Sequence, residues 1–204
     1  MAPAACCGMV MGDSRDGRTN VRDFPSLLIK TCIELEAVYR LHKLDNFIPV
    51  DVASRAIVHI SRQPRIFDRV FHVVNPHHFE FAKLWEYVRS LGYRLEELAY
   101  EEWLERLSRQ SGGPESSAIF PLLGLFVDKL PRFGRTVIEL FEGQPVFDAS
   151  NFLEALSGSD IVCPPVDRQL VATWISYYRE RGFIPEPPAS ECSASLDKRS
   201  MEAV

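Results

Sequence analysis

A chain of 204 residues that is 46% hydrophobic and 11% aromatic has the apolar side chains for one packed domain, which excludes disorder throughout. A net charge of −5 argues against nucleic acid as a partner, because such binders carry a basic stripe. The cysteines Cys6, Cys7, Cys32, Cys163 and Cys192 show neither CxxC pairing nor a metal-ligand rhythm, so they read as reduced thiols of a cytoplasmic protein. The first residues carry no cationic segment and no long apolar run, as a secretory signal would require. Ala118–Val127 is the longest apolar stretch; Pro121 interrupts it, and it is too short to span a bilayer.

Taken in chain order, residues 1–23 have no period of either kind and read as a flexible arm. Phe24, Leu27, Leu28, Thr31 and Leu35 fall at helical spacing and predict a helix from Phe24 to about Leu35. Asn46 to Val50 reads as extended because Pro49 restrains Ile48, and Asp51 is the expected N-cap of a helix carrying Ala53, Ala56, Ile57 and Ile60. Val70 to Asn75 alternates and stops at Pro76, the pattern of a strand. Phe81, Leu84, Trp85, Val88 and Leu91 then predict a helix from His78 to Leu91 that Gly92 ends.

Arg94 to Ala99 reads as a further short strand, Tyr100 to Arg109 as a helix with Trp103 inward, and Gln110 to Ser117 as a loop. Helices are expected over Ile119–Leu130, after Ser150, and after Asp167 with Leu170, Val171, Trp174, Ile175 and Tyr178 inward. Trp85, Trp103 and Trp174 are expected in the core, and residues 186–204 are expected to be a disordered tail. The pattern is a helix-dominated α+β fold with one or two strands. A lone strand cannot form a sheet, so Val70–Asn75 is expected at an edge whose partners lie elsewhere.

Several motifs resemble a known family in consistent order. They are Gly12-Asp13-Ser14-Arg15-Asp16-Gly17, Asn46 with Pro49-Val50-Asp51, Phe71-His72-Val73-Val74-Asn75-Pro76 and Cys163-Pro164-Pro165-Val166-Asp167. From Gly12 to Phe183 the chain resembles the C-terminal portion of thioester reductase domains, which terminate nonribosomal peptide and polyketide synthetases and carboxylic acid reductases. These belong to the extended short-chain dehydrogenase/reductase superfamily. The resemblance implies the substrate lobe of such a fold, over residues 24–185, with the Rossmann lobe absent. It further implies a complete domain that uses NADPH to release a carrier-bound acyl or peptidyl thioester as an aldehyde or alcohol. The implied partners are a carrier protein bearing phosphopantetheine and a Rossmann lobe from a longer chain. Phe24, Lys30, Asn46 and Phe47 fall where they would contact the acyl chain, the pantetheine or the carrier. Asn46 and Phe47 would stand at the cleft mouth, and Lys30 would either meet a carrier phosphate or remain a solvated lysine.

The remaining motifs read as coincidental. Gly8-Met9-Val10-Met11-Gly12 lacks the preceding strand of a phosphate loop. Tyr39 and Lys43 spell YxxxK, one helical turn apart if helical, but follow the first helix with no catalytic Ser/Thr segment before them. His72, His77 and His78 match no standard metal-ligand set, Cys163 has no sequence-adjacent histidine, and Ser14 lacks a nucleophile elbow. No catalytic, cofactor or metal residue is therefore expected in the chain alone, which should be inactive by itself. The rival reading is a non-catalytic module that only docks a carrier protein, or a folded gene remnant.

Overall fold

A computed structural model describes residues 4–41, 43–64, 69–110, 114–141 and 146–188. The elements in chain order are β1 (Ala4–Cys7), β2 (Val10–Met11), α1 (Phe24–Glu34), β3 (Ala37–Tyr39), β4 (Leu44–Asp45), β5 (Ile48–Pro49), α2 (Val50–Ser61) and β6 (Val70–Val73). They continue with β7 (Phe79–Glu80), α3 (Phe81–Ser90), β8 (Glu96–Leu98), α4 (Tyr100–Ser108), α5 (Gly124–Val127), α6 (Val137–Phe141), α7 (Ser150–Leu156) and α8 (Arg168–Glu180). The fold is α+β and helix-dominated, as the periodicity predicts.

The β content departs from the prediction. The strands form separate two-stranded pairs: β1–β6, β2–β5 and β3–β8 run parallel, and β4–β7 runs antiparallel. Val70–Val73 is therefore not partnerless, because Ala4–Cys7 lies beside it with Ala4 opposite Val70 and Cys7 opposite Val73. The predicted arm over residues 1–23 thus supplies β1 and β2. No period marks them because Ala-Ala-Cys-Cys is short and carries no β-branched side chain. The other edge of β1 pairs with no described strand.

The long helices follow their sequence signals. Asp23 caps α1 by accepting from Ser26 N, and Asp167 caps α8 by accepting from Leu170 N. Buried Leu170, Val171, Trp174, Ile175 and Tyr178 make the inner face of α8, and Trp85 and Trp103 are buried as expected. Two caps differ. Pro49, not Asp51, is the N-cap of α2; Asp51 sits in its first turn and accepts from Ser14 N at 2.9 Å and Ser14 Oγ at 2.8 Å. Ser150 begins α7 rather than capping it, with its N–H and hydroxyl on Asp148 Oδ1. The helix predicted over 119–130 is split into a 3-10 turn at Phe120–Leu122 and the short α5, in a segment where Pro121 and Gly124 both disfavour a continuous helix. Of the predicted 110–117 loop, residues 111–113 lie outside the described residues, as does most of the predicted tail.

Two apolar clusters hold these elements. The larger joins α1, β3, α3, α4 and α8, with Trp103 and Trp174 at its centre. The smaller joins α2, β6 and α7 through Ile48, Ala56, Val73 and Phe152. The Gly12–Gly17 turn packs on α8. Gly17 has φ +73, and a Cβ there would stand 2.4 Å from Thr173 O, so only glycine fits without a shift. This turn is the Gly-Asp-Ser-Arg-Asp-Gly motif, and its serine ties the turn to α2 through Asp51.

Candidate functional site

Buried Asn75 gathers three of the resemblance-bearing segments. It ends the β6 segment, and its Nδ2 donates to Phe47 O and to Pro164 O, each at 2.9 Å, while its Oδ1 accepts from His77 N. One amide thus joins the Asn46–Asp51 run, the Val70–Pro76 run and the Cys163–Asp167 run.

Next to this junction lies a cavity of about 420 Å³. Its apolar wall is built by Phe24, Leu125, Val137, Phe141, Val146 and Phe147. Phe24 stacks on Phe141 at 6.4 Å and on Phe126 at 6.1 Å, which fixes the wall where α1, α5 and α6 meet. The polar side is Lys43, Asp45, Asn46 and His78, with Cys7, Gly8 and Met9 completing the rim. A side chain at Gly8 would stand 3.0 Å from Val74 Cγ1 and 3.1 Å from Asn46 Oδ1, so the glycine lets β1 close on the Asn46 loop.

Asp45 and Lys43 form an unusual feature of this wall. Asp45 is 6% exposed, and its Oδ1 accepts from Asn46 N at 2.8 Å. Lys43 Nζ stands 3.2 Å from Asp45 Oδ2 and 4.7 Å from the centre of the Phe141 ring. Charge proximity is therefore satisfied, yet Oδ2 accepts no hydrogen bond among the described residues.

The residues singled out from sequence divide. Phe24 and Asn46 line the cavity. Phe47 does not reach it: it is fully buried against Phe79 and Phe81, so it supports the wall from behind rather than standing at a cleft mouth. Lys30 lies away from the cavity and donates to Glu34 at 2.6 Å and to Phe183 O at 2.7 Å. The helical Tyr39–Lys43 pair is not formed. Tyr39 ends β3, is 3% exposed and packs edge-on against Tyr100 and Trp103, while Lys43 turns to Asp45. Asp45, Phe141 and Phe147 escape sequence reading because their meeting depends on tertiary placement. The only local hint is a lysine and an aspartate at alternate positions of an extended run.

Gly8–Gly12 forms no phosphate loop; Val10–Met11 is strand β2, laddered to Ile48–Pro49. Among the described residues, no group of three or more His, Cys, Asp or Glu side chains comes together as a metal site. No described helix is long and apolar enough to cross a membrane. Burial, and secondarily the nearby Cys6, raises the Cys7 thiol, which disfavours the nucleophilic thiolate.

Cys163 is buried, and burial followed by the Asp51 charge pushes its pKa from 9.0 to about 12. Burial also raises Cys32 and Tyr178. Each group has a folded pKa above its unfolded value, so the stability it contributes is complete below the unfolded pKa and is lost as pH rises through the folded one. Melting temperature should hold to about pH 9 and then fall through the alkaline range. Circular dichroism melts check this, and Cys163→Ala should flatten the slope; a slope that Cys163→Ala leaves unchanged assigns the loss to other groups.

No family profile matches the chain. Curated relatives do. The chain is 32% identical over 190 residues to the aldehyde reductase lnaA of Aspergillus flavus, spanning 88% of this chain and 18% of that protein. It is 25% identical over 195 residues to the L-2-aminoadipate reductase large subunit of Eremothecium gossypii, spanning 88% of this chain and 13% of that one. Among solved structures, the terminal R domain from the myxalamid PKS-NRPS pathway superposes with a TM-score of 0.75 and 31% identity, over 91% of this chain and 45% of that domain. The chain therefore spans less than half of that domain and under a fifth of these relatives. Its fold is that of part of a reductase domain. In particular, it corresponds to the C-terminal portion of a thioester reductase domain of the extended short-chain dehydrogenase/reductase superfamily.

Proposed function

We propose that the chain is the substrate lobe of an NADPH-dependent reductase of carrier-bound acyl or peptidyl thioesters, with its cavity receiving the acyl end of the phosphopantetheine arm. The carrying observation is the cavity itself: apolar on the α1, α5 and α6 side, polar at Lys43, Asp45 and Asn46, and set beside Cys7 at the end of β1. That geometry suits an apolar chain ending in a polar carbonyl group. In the complete domain NADPH supplies hydride to the thioester carbonyl carbon, and the pantetheine sulfur leaves as the thiolate. The free edge of β1 suits a further parallel strand, which a nucleotide-binding lobe would contribute; parallel pairs are seldom left uncovered. The proposed role of these 204 residues is to bind and orient the acyl group, with cofactor binding and proton transfer assigned to that other lobe.

A titration tests this. A pantetheine probe with a straight-chain acyl group linked through an unreactive amide should bind the isolated chain. Val137→Trp, which fills the cavity, should weaken it by at least about tenfold, on the order of 1.4 kcal/mol. NADPH should give no heat. Micromolar NADPH binding would place the cofactor site within this chain. Absence of probe binding would remove the acyl-lobe reading, and binding of a loaded carrier without the probe would leave the docking-module alternative.

A further inference from the structure

The polar wall of the cavity carries more information than its size. Asp45 and Lys43 form a buried ion pair, and removing two charges from water is costly unless added hydrogen bonds satisfy their remaining lone pairs and protons. Here they are not satisfied. Asp45 Oδ2 accepts no hydrogen bond among the described residues, and Lys43 presses its ammonium against the Phe141 ring. Both residues border the cavity, so a ligand group can supply what the protein leaves out.

The pair also restricts what that group can be. A ligand ammonium would suit Asp45 but meet the Lys43 charge. A ligand carboxylate would suit Lys43 but meet Asp45. A hydrocarbon would cover the pair and leave Oδ2 without a donor, which a buried acceptor tolerates poorly. A neutral group with an N–H or O–H donor beside an acceptor satisfies both partners. Resting on the acyl-lobe reading, we infer that the cavity selects acyl groups carrying an amide, or a comparable neutral donor–acceptor group, against the Lys43–Asp45 pair. Phe24, Val137 and Phe141 hold the adjoining apolar portion.

Isothermal titration of the isolated chain with three pantetheine probes of matched length, all linked through unreactive amides, decides this. One carries an N-acetyl-aminoacyl group, one a straight alkanoyl group and one a terminal ammonium. The wild-type chain should bind the first at least about tenfold more tightly than the other two, as expected of a polar site left unpaired by the wrong ligand. Lys43→Met with Asp45→Asn should reduce that preference to within about threefold while leaving alkanoyl binding within about threefold of wild type, in protein whose melt shows it folded. Equal wild-type affinity for the N-acetyl-aminoacyl and alkanoyl probes overturns this inference and leaves the acyl-lobe reading standing. Binding of no probe overturns both. A preference that persists in the double variant overturns the role of the pair. If that variant does not fold, the wild-type ranking of the three probes still decides the selectivity.

Discussion

Trp174→Ala is expected to destabilise the chain by about 3–5 kcal/mol in urea or thermal unfolding. The indole is 1% exposed at the centre of the inner face of α8, and its Nε1 donates to Gly12 O at 3.0 Å. Truncation removes apolar burial, leaves a cavity beneath the Gly12–Gly17 turn and strips a buried carbonyl of its donor. Trp174→Phe separates these contributions, because it keeps most of the ring volume and loses the N–H. About 1–2 kcal/mol is expected for that variant. A cost below about 1 kcal/mol for the alanine variant would show that α8 lies outside the cooperative unit.

The second large effect is at Asn75. Asn75→Ala removes donors to Phe47 O and Pro164 O and an acceptor for His77 N in one step. Each buried group left without a partner costs about 1–3 kcal/mol, so a total of about 3–5 kcal/mol is expected, with some relief if water enters. Unlike Trp174→Ala, this variant should also disturb the cavity, because Asn46 precedes one of the carbonyls that Asn75 holds. Denaturation gives the first effect, and the affinity of the acyl probe measured below the unfolding transition gives the second. A large loss of stability with unchanged probe affinity would separate the three-way junction from the cavity.

How much of this is legible in the sequence depends on the range of the interactions. α8 is readable because its cap, its apolar spacing and its terminating glycine all lie within a few residues of one another. The three tryptophans are readable for the same reason. β1 and β2 are not readable, since strands of four and two residues form only against Val70–Val73 and Ile48–Pro49 far along the chain. Phe24 and Asn46 are found in the cavity, whereas Phe47, their neighbour in the motif, points the other way because side chains alternate along an extended run. Lys43 is visible in the sequence only as half of a YxxxK coincidence. Its actual partners, Asp45 and Phe141, come from β4 and α6, and no local pattern links them.

The pairing of β1 with β6 bears on how the molecule comes to be made. A parallel ladder between Ala4–Cys7 and Val70–Val73 cannot begin until synthesis has passed the second strand, so the nascent β1 waits without its partner. Closing a loop of that span carries an entropic cost that rises only slowly with length, about 0.6 kcal/mol for each doubling, so distance alone does not forbid the closure. It does delay it, because non-local contacts form after local ones. During that interval Cys6 and Cys7 travel on an unpaired segment beside an apolar stretch, which makes early oxidation or strand exchange between neighbouring copies the hazard of production. Slow expression under reducing conditions addresses that hazard directly.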